Sequence, residues 1–165
     1  MSRRNLPFAL LAALCIAAPA ASTSLEEKPV VNRVAEGPFE VQVIPQPRDA
    51  AQSSVAIDRL LLEKRYRGGL DASARGQMLG VQGAVETSGA YVAIERVEGT
   101  LDGRRGAFAL QHSGTMTKAT GYAMDVKIVP DSGTGELTGI AGKLTILIAP
   151  GGAHSYKLDY TLPGG

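Results

Sequence analysis

From Phe39 to Leu162 the chain consists largely of short runs in which apolar and polar residues alternate one by one. A strand turns successive side chains to opposite faces, whereas a helix shows a period of 3.6, so this pattern selects half-buried strands. "FEVQVIP" sets Phe39, Val41 and Val43 against Glu40, Gln42 and Ile44 and stops at Pro45. The next run, Val55 to about Arg67, carries Leu60, Leu62, Lys64 and Tyr66 on one parity, and Gly68-Gly69 breaks it. The same grammar returns at Leu70–Val81, Tyr91–Leu101, Gly106–Thr117, Tyr122–Val129, Lys143–Pro150 and Ala153–Leu162. About eight strands are therefore predicted, punctuated by many of the twenty glycines, with no stretch of the length and period of a major helix. The connections are too short for the crossovers that parallel neighbours need, so the strands are antiparallel. Antiparallel strands with no obvious edge protection favour closure. The expectation is an all-β fold: a small antiparallel closed β-barrel forming one domain over residues 38–163, after an extended, mobile leader at residues 21–37.

Residues 1–20 read as an export signal. Arg3 and Arg4 give a positive start, Leu6 to Ala18 an apolar stretch, and Ala18-Pro19-Ala20 a small-x-small cleavage pattern, with cleavage expected after Ala20. The apolar run is shorter than the ~20 residues of a spanning helix, and the strands lack the lipid-facing alternation and aromatic girdles of an outer-membrane barrel, so no membrane insertion is expected. Paired arginines fit both the general secretory and the twin-arginine route. Cys15 follows Leu14 where a lipoprotein signal needs a small residue, and it leaves with the signal, so the exported chain has no thiol or disulfide chemistry. Losing Arg3 and Arg4 takes the formal net charge from +1 to −1. With no basic block or basic-aromatic interleaving, no nucleic-acid partner is expected. The predicted location is periplasmic or secreted.

Three blocks, "AIERVEGTLDGRRGAFALQHSGTM", "VPDSGTGELTGIAGKL" and "HSYKLDYTL", resemble the successive signatures of a bacterial family known as domain of unknown function 3224. "RYRGGLDASARGQML" is similar to its second strand pair, with Gly69 where an acidic residue commonly sits. The resemblance spans roughly Phe39 to Leu162 and implies an allene oxide cyclase-like barrel of about eight strands with a cavity. It implies no chemistry, because a shared fold hosts unrelated functions.

The hairpin "YVAIERVEGTLDGRRGAFALQHSGTM" carries the candidate site. A turn at Asp102-Gly103 pairs Leu101 with Arg104, Val97 with Phe108, Glu95 with Leu110 and Ala93 with His112; a turn at Gly103-Arg104 puts Glu95 opposite His112 instead. Either register leaves Tyr91, Glu95, Val97, Phe108, Leu110, His112 and Met116 on one face, because a shift of two in the pairing sum preserves parity. This more apolar face is the candidate interior; the inverted facing would turn Arg96 and Glu98 inward. A carboxylate inside a barrel needs a partner, and Glu95 and His112 can satisfy each other. The pair reads either as a structural link fixing register or as a proton donor and acceptor for a bound molecule. In the last hairpin, a Gly151-Gly152-Ala153 loop would set Ile148 opposite Tyr156 and Ile146 opposite Leu158, placing His154 and Tyr156 near one mouth. His154 also reads as a solvated turn residue, and Tyr66, Tyr91 and Tyr160 as core or rim aromatics.

Other chemistries are bounded by the residue inventory. Two histidines and no exported cysteine exclude three-His and Cys-rich metal sites, and neither a metal nor a cofactor is expected. No Gly-x-Ser-x-Gly elbow occurs, "SGTGELTG" lacks the Lys of a phosphate loop, and Ser113 faces away from His112. Three functions follow. The first is a barrel binding a small apolar or amphipathic ligand through Tyr91, Glu95, Phe108, His112, Met116 and Tyr156. The second is an isomerase or cyclase using Glu95 and His112, and the third a structural or oligomerising module with a packed interior. Oligomeric state is not legible in the pattern.

Overall fold

The computed structural model describes residues 30–163. The export signal expected over residues 1–20 and the first part of the leader lie outside the described residues. The elements are β1 (Val30–Pro45), a short helix α1 (Ala50–Val55), β2 (Asp58–Tyr66), β3 (Leu70–Gln82), β4 (Gly89–Leu101), β5 (Arg104–Thr117), β6 (Gly121–Ile128), β7 (Thr134–Gly135), β8 (Ala141–Ile148) and β9 (His154–Pro163). Eight strands close an antiparallel barrel in the order β1-β2-β3-β4-β5-β6-β8-β9, with β9 returning to β1. The ninth, β7, adds to β5 at Gly106 and Ala107. Closure leaves the inward residues of every strand to fill one interior, as the alternation requires.

The barrel strands are strongly staggered. Residues 30–39 of β1 pair with β9 and residues 39–45 with β2, so Phe39 belongs to both ladders, opposite His154 on one side and Tyr66 on the other. Residues 30–37, expected as leader, are thus part of the barrel. Two of their inward positions, Ala35 and Gly37, escape a hydrophobic pattern search because they are small. Ala35 faces Leu158 and Gly37 faces Tyr156, and a Cβ on Gly37 would lie 1.9 Å from the Arg67 carbonyl oxygen. Two further boundaries differ from expectation. The second strand starts at Asp58 rather than Val55, and α1 takes up part of the expected loop.

The hairpin of β4 and β5 has the Asp102-Gly103 register, with Val97 opposite Phe108, Glu95 opposite Leu110 and Ala93 opposite His112. Asp102 at φ 46° and Gly103 at φ 80° are the two positive values that a type I′ turn demands. The last hairpin keeps the expected parity but not the expected register: Ile146 faces Tyr156 and Ile148 faces His154. Ala149 donates to the Ala153 carbonyl, so the loop is Pro150-Gly151-Gly152, one position earlier than predicted.

One barrel end is packed solid. Leu70, Leu101, Leu137, Ile140, Tyr160 and Leu162 are buried there, under the β2–β3 and β4–β5 turns and the β6–β8 connection. Leu137 seats against Gly106, where a Cβ would come within 3.0 Å of its Cγ. Outside the barrel, Leu79, Val81, Val92 and Ile94 of β3 and β4 are exposed, the first three lining a shallow apolar groove with Val55 and Ile57.

Candidate functional site

Glu95 lies at the middle of β4 and is fully buried, with Arg96 and Glu98 turned to solvent. The facing inferred from the apolar parity therefore holds. Three donors converge on one of its oxygens: Lys64 Nζ, Tyr66 Oη and His112 Nε2 each lie 3.0 Å from Oε1. Lys64 and Tyr66 come from β2, which shares the interior through the Lys64–Ala74 and Ala74–Val97 pairs. The Lys64 ammonium also sits 5.5 Å from the Phe39 ring centroid and 5.8 Å from that of Tyr66, within cation–π range. Gly76, opposite Glu95, makes room for the carboxylate: a Cβ there would fall 2.6 Å from Glu95 Cβ.

Burial pushes the Glu95 carboxyl up, but the hydrogen bond from His112 and the charge and hydrogen bond of Lys64 outweigh it, leaving it below its ordinary value of 4.5. Glu95 is therefore a carboxylate and the three surrounding groups are donors. The Tyr66 hydroxyl is raised well above its usual range, by burial first and then by Glu95, and remains a donor. The second carboxylate oxygen, Oε2, is buried and has no hydrogen-bond partner among the described residues.

Toward one barrel end from this cluster, the inward side chains are less covered. On the barrel half bounded by the β1–β2, β3–β4, β5–β6 and β8–β9 connections, inward-parity residues are only partly covered. Leu60, Met78, Tyr91, Met116, Met124 and Ile146 are half-buried, and Val43 and Ile148 at the rim are 47% and 48% exposed. The contrast with the opposite, solid end defines one apolar mouth. Lys64, Glu95 and His112 are all buried, so the polar cluster lies beneath this apolar rim.

The sequence-predicted residues divide between the half-buried rim, the polar cluster and the packed half. Glu95 and His112 are in contact. Tyr91 stands four residues before Glu95 on the same face, with its ring over Gly114, where a Cβ would lie 2.3 Å from Cε1, and Met116 is on the wall. Phe108 is fully buried in the packed half. Tyr156 is also buried, with its hydroxyl accepting from Leu70 N at 2.7 Å and donating to the Arg67 carbonyl at 3.0 Å. His154 is half-buried, its ring 5.2 Å from Phe39. Lys64 was not singled out from sequence, although its parity with Leu62 and Tyr66 placed it inside; the signal was that an inward Glu95 needs a cation. Among the described residues, no group of three or more His, Cys, Asp or Glu side chains is arranged to hold a metal ion. No described helix is long and apolar enough to cross a membrane.

The family described as "Protein of unknown function (DUF3224)" matches the chain over residues 35–160. The crystal structure of a protein of unknown function from that family, from Shewanella oneidensis MR-1, is 37% identical. It superposes with a TM-score of 0.73, covering 82% of this chain and 100% of that one. No curated protein matches the chain.

Proposed function

The chain belongs to the DUF3224 family, and from its own geometry we propose that it is a binding protein for a small amphipathic ligand held in the barrel mouth. The observation that supports this most directly is the orphaned Glu95 Oε2, a buried acceptor with no hydrogen-bond partner among the described residues, in a barrel whose inward side chains toward one end are only half-buried. Ligand sites combine such apolar walls with a few placed polar groups. Leu60, Met78, Tyr91, Met116 and Met124 would hold the apolar body, with the methionines adapting to its shape. Phe108 and Tyr156 support the floor from below. Carriage outside the cytoplasm, after removal of the residue 1–20 signal, belongs to the same proposal.

N-phenyl-1-naphthylamine, a neutral fluorophore, tests the reading. Saturable one-to-one binding with blue-shifted emission, abolished by Met116→Trp while the unfolding midpoint holds, is the expected result. A signal that survives Met116→Trp would assign the probe to the outer β3–β4 groove and remove the support for an internal site.

A second reading, isomerisation by proton transfer at Glu95, draws on the same free oxygen. It requires turnover that disappears in Glu95→Gln while binding persists.

A further inference from the structure

We propose that the head group this mouth selects is a neutral hydroxyl, so that the ligand class is an apolar chain or ring system ending in an alcohol or phenol. This rests on the reading of the mouth as a ligand site and adds the chemistry of its floor.

The charge balance of the cluster carries the first step. Lys64 and Glu95 form an ion pair at 3.0 Å with side chains 5% and 0% exposed, so each already has its counterion. A carboxylate or ammonium head arriving there would be a third charge with no counterion in a poorly solvated site, at a cost that grows with burial. Ionic heads are thereby disfavoured in both signs.

The orphaned oxygen carries the second step. Oε1 already receives Lys64, Tyr66 and His112, whereas Oε2 receives nothing among the described residues, so the unmet need of the floor is for a donor. Aldehydes, ketones, esters and ethers bring only acceptors and would leave Oε2 unpaired and desolvated. A hydroxyl donates to Oε2, and its own oxygen can take a remaining N–H of the Lys64 ammonium, which has three donors and uses two on Glu95 and Tyr66. An O–H group is thus the smallest neutral head that meets both sides of the floor.

A set of ten-carbon compounds sharing one tail tests this on the unaltered protein: 1-decanol, decanal, decanoate and decylamine, each displacing bound N-phenyl-1-naphthylamine. Decanol should displace the probe at concentrations about tenfold or more below those of the other three, the discrimination expected when a site's buried polar group is left unpaired. In Glu95→Gln, whose amide offers both donor and acceptor, decanol should lose its advantage over decanal. Equal displacement by all four overturns the head-group proposal while leaving the apolar mouth intact, and preference for decanoate or decylamine overturns it by showing an uncompensated charge at the floor. Failure of the probe itself to bind is a different result, because it removes the mouth as a ligand site.

Discussion

At the scale of single residues, the molecule is organised by one carboxylate oxygen with three donors and its twin with none among the described residues. Glu95→Gln leaves the Lys64 ammonium buried without its counterion, and the expected cost is about 3–5 kcal/mol in urea unfolding. Lys64→Met in the same chain should recover most of that loss; a simply additive pair of losses would show that the two groups are not coupled. The acid response follows from the same pair. The folded-state carboxyl of Glu95 titrates below 4.5, so its contribution is complete above that value and is lost as the pH falls through its lowered folded-state value. The stability gap between the wild type and Glu95→Gln should therefore close on acidification below the ordinary carboxylate range, as read from urea midpoints across pH. How much of this was legible depended on parity: an odd-numbered Glu95 and an even-numbered His112 meet in either hairpin register. Lys64 was visible on the inward parity of β2, but nothing local to β2 shows which residue across the barrel it faces, since the β2–β4 relation passes through β3.

At the scale of elements, the β4–β5 hairpin is tied to the end of β9 by its turn. Tyr160 donates to Asp102 Oδ2 at 2.6 Å, and burial together with that bond pushes the Tyr160 phenol up to about 12. Asn tolerates the left-handed backbone of position 102, so Asp102→Asn should keep the turn and lower the Tyr160 ionisation toward 10, seen by ultraviolet titration. An unchanged titration would mean that burial alone sets it. Turn chemistry made this hairpin readable from sequence, because Asp-Gly between alternating runs admits few geometries. The last hairpin lies one position from its expected place because Pro150-Gly151-Gly152 and Gly151-Gly152-Ala153 both preserve parity, and only the closing Ala149–Ala153 bond separates them. The weakest join is between β6 and β8, which share the single pair Lys127–Lys143, whereas β8 is zipped to β9 along its whole length. Amide exchange should accordingly be faster for the β6 and β8 groups facing that seam than for those in the β4–β5 ladder. Uniform protection around the barrel would contradict it.

For the whole molecule, the alternation revealed a barrel but hid where it begins. Ala35 and Gly37 carry no hydrophobic signal, yet they let Leu158 and Tyr156 close against β1. A chain starting at Pro38, the boundary the sequence suggests, should lose closure: residues 30–37 supply most of the ladder to β9. Such a truncation is expected to unfold with non-coincident secondary- and tertiary-structure signals, where the longer chain gives one transition. With one cooperative transition in both, closure would not depend on that segment. The pairing of Val30 with Pro163 has a further consequence. Neighbours in sequence are neighbours in space around nearly the whole circuit, and the first and last strand residues lie side by side, so the polypeptide is close to an unbroken ring. Where that ring is cut is then a matter of convenience. Joining these two positions through a short linker and reopening the chain between Gly151 and Gly152 should give a circular permutant that retains every ladder and the same mouth.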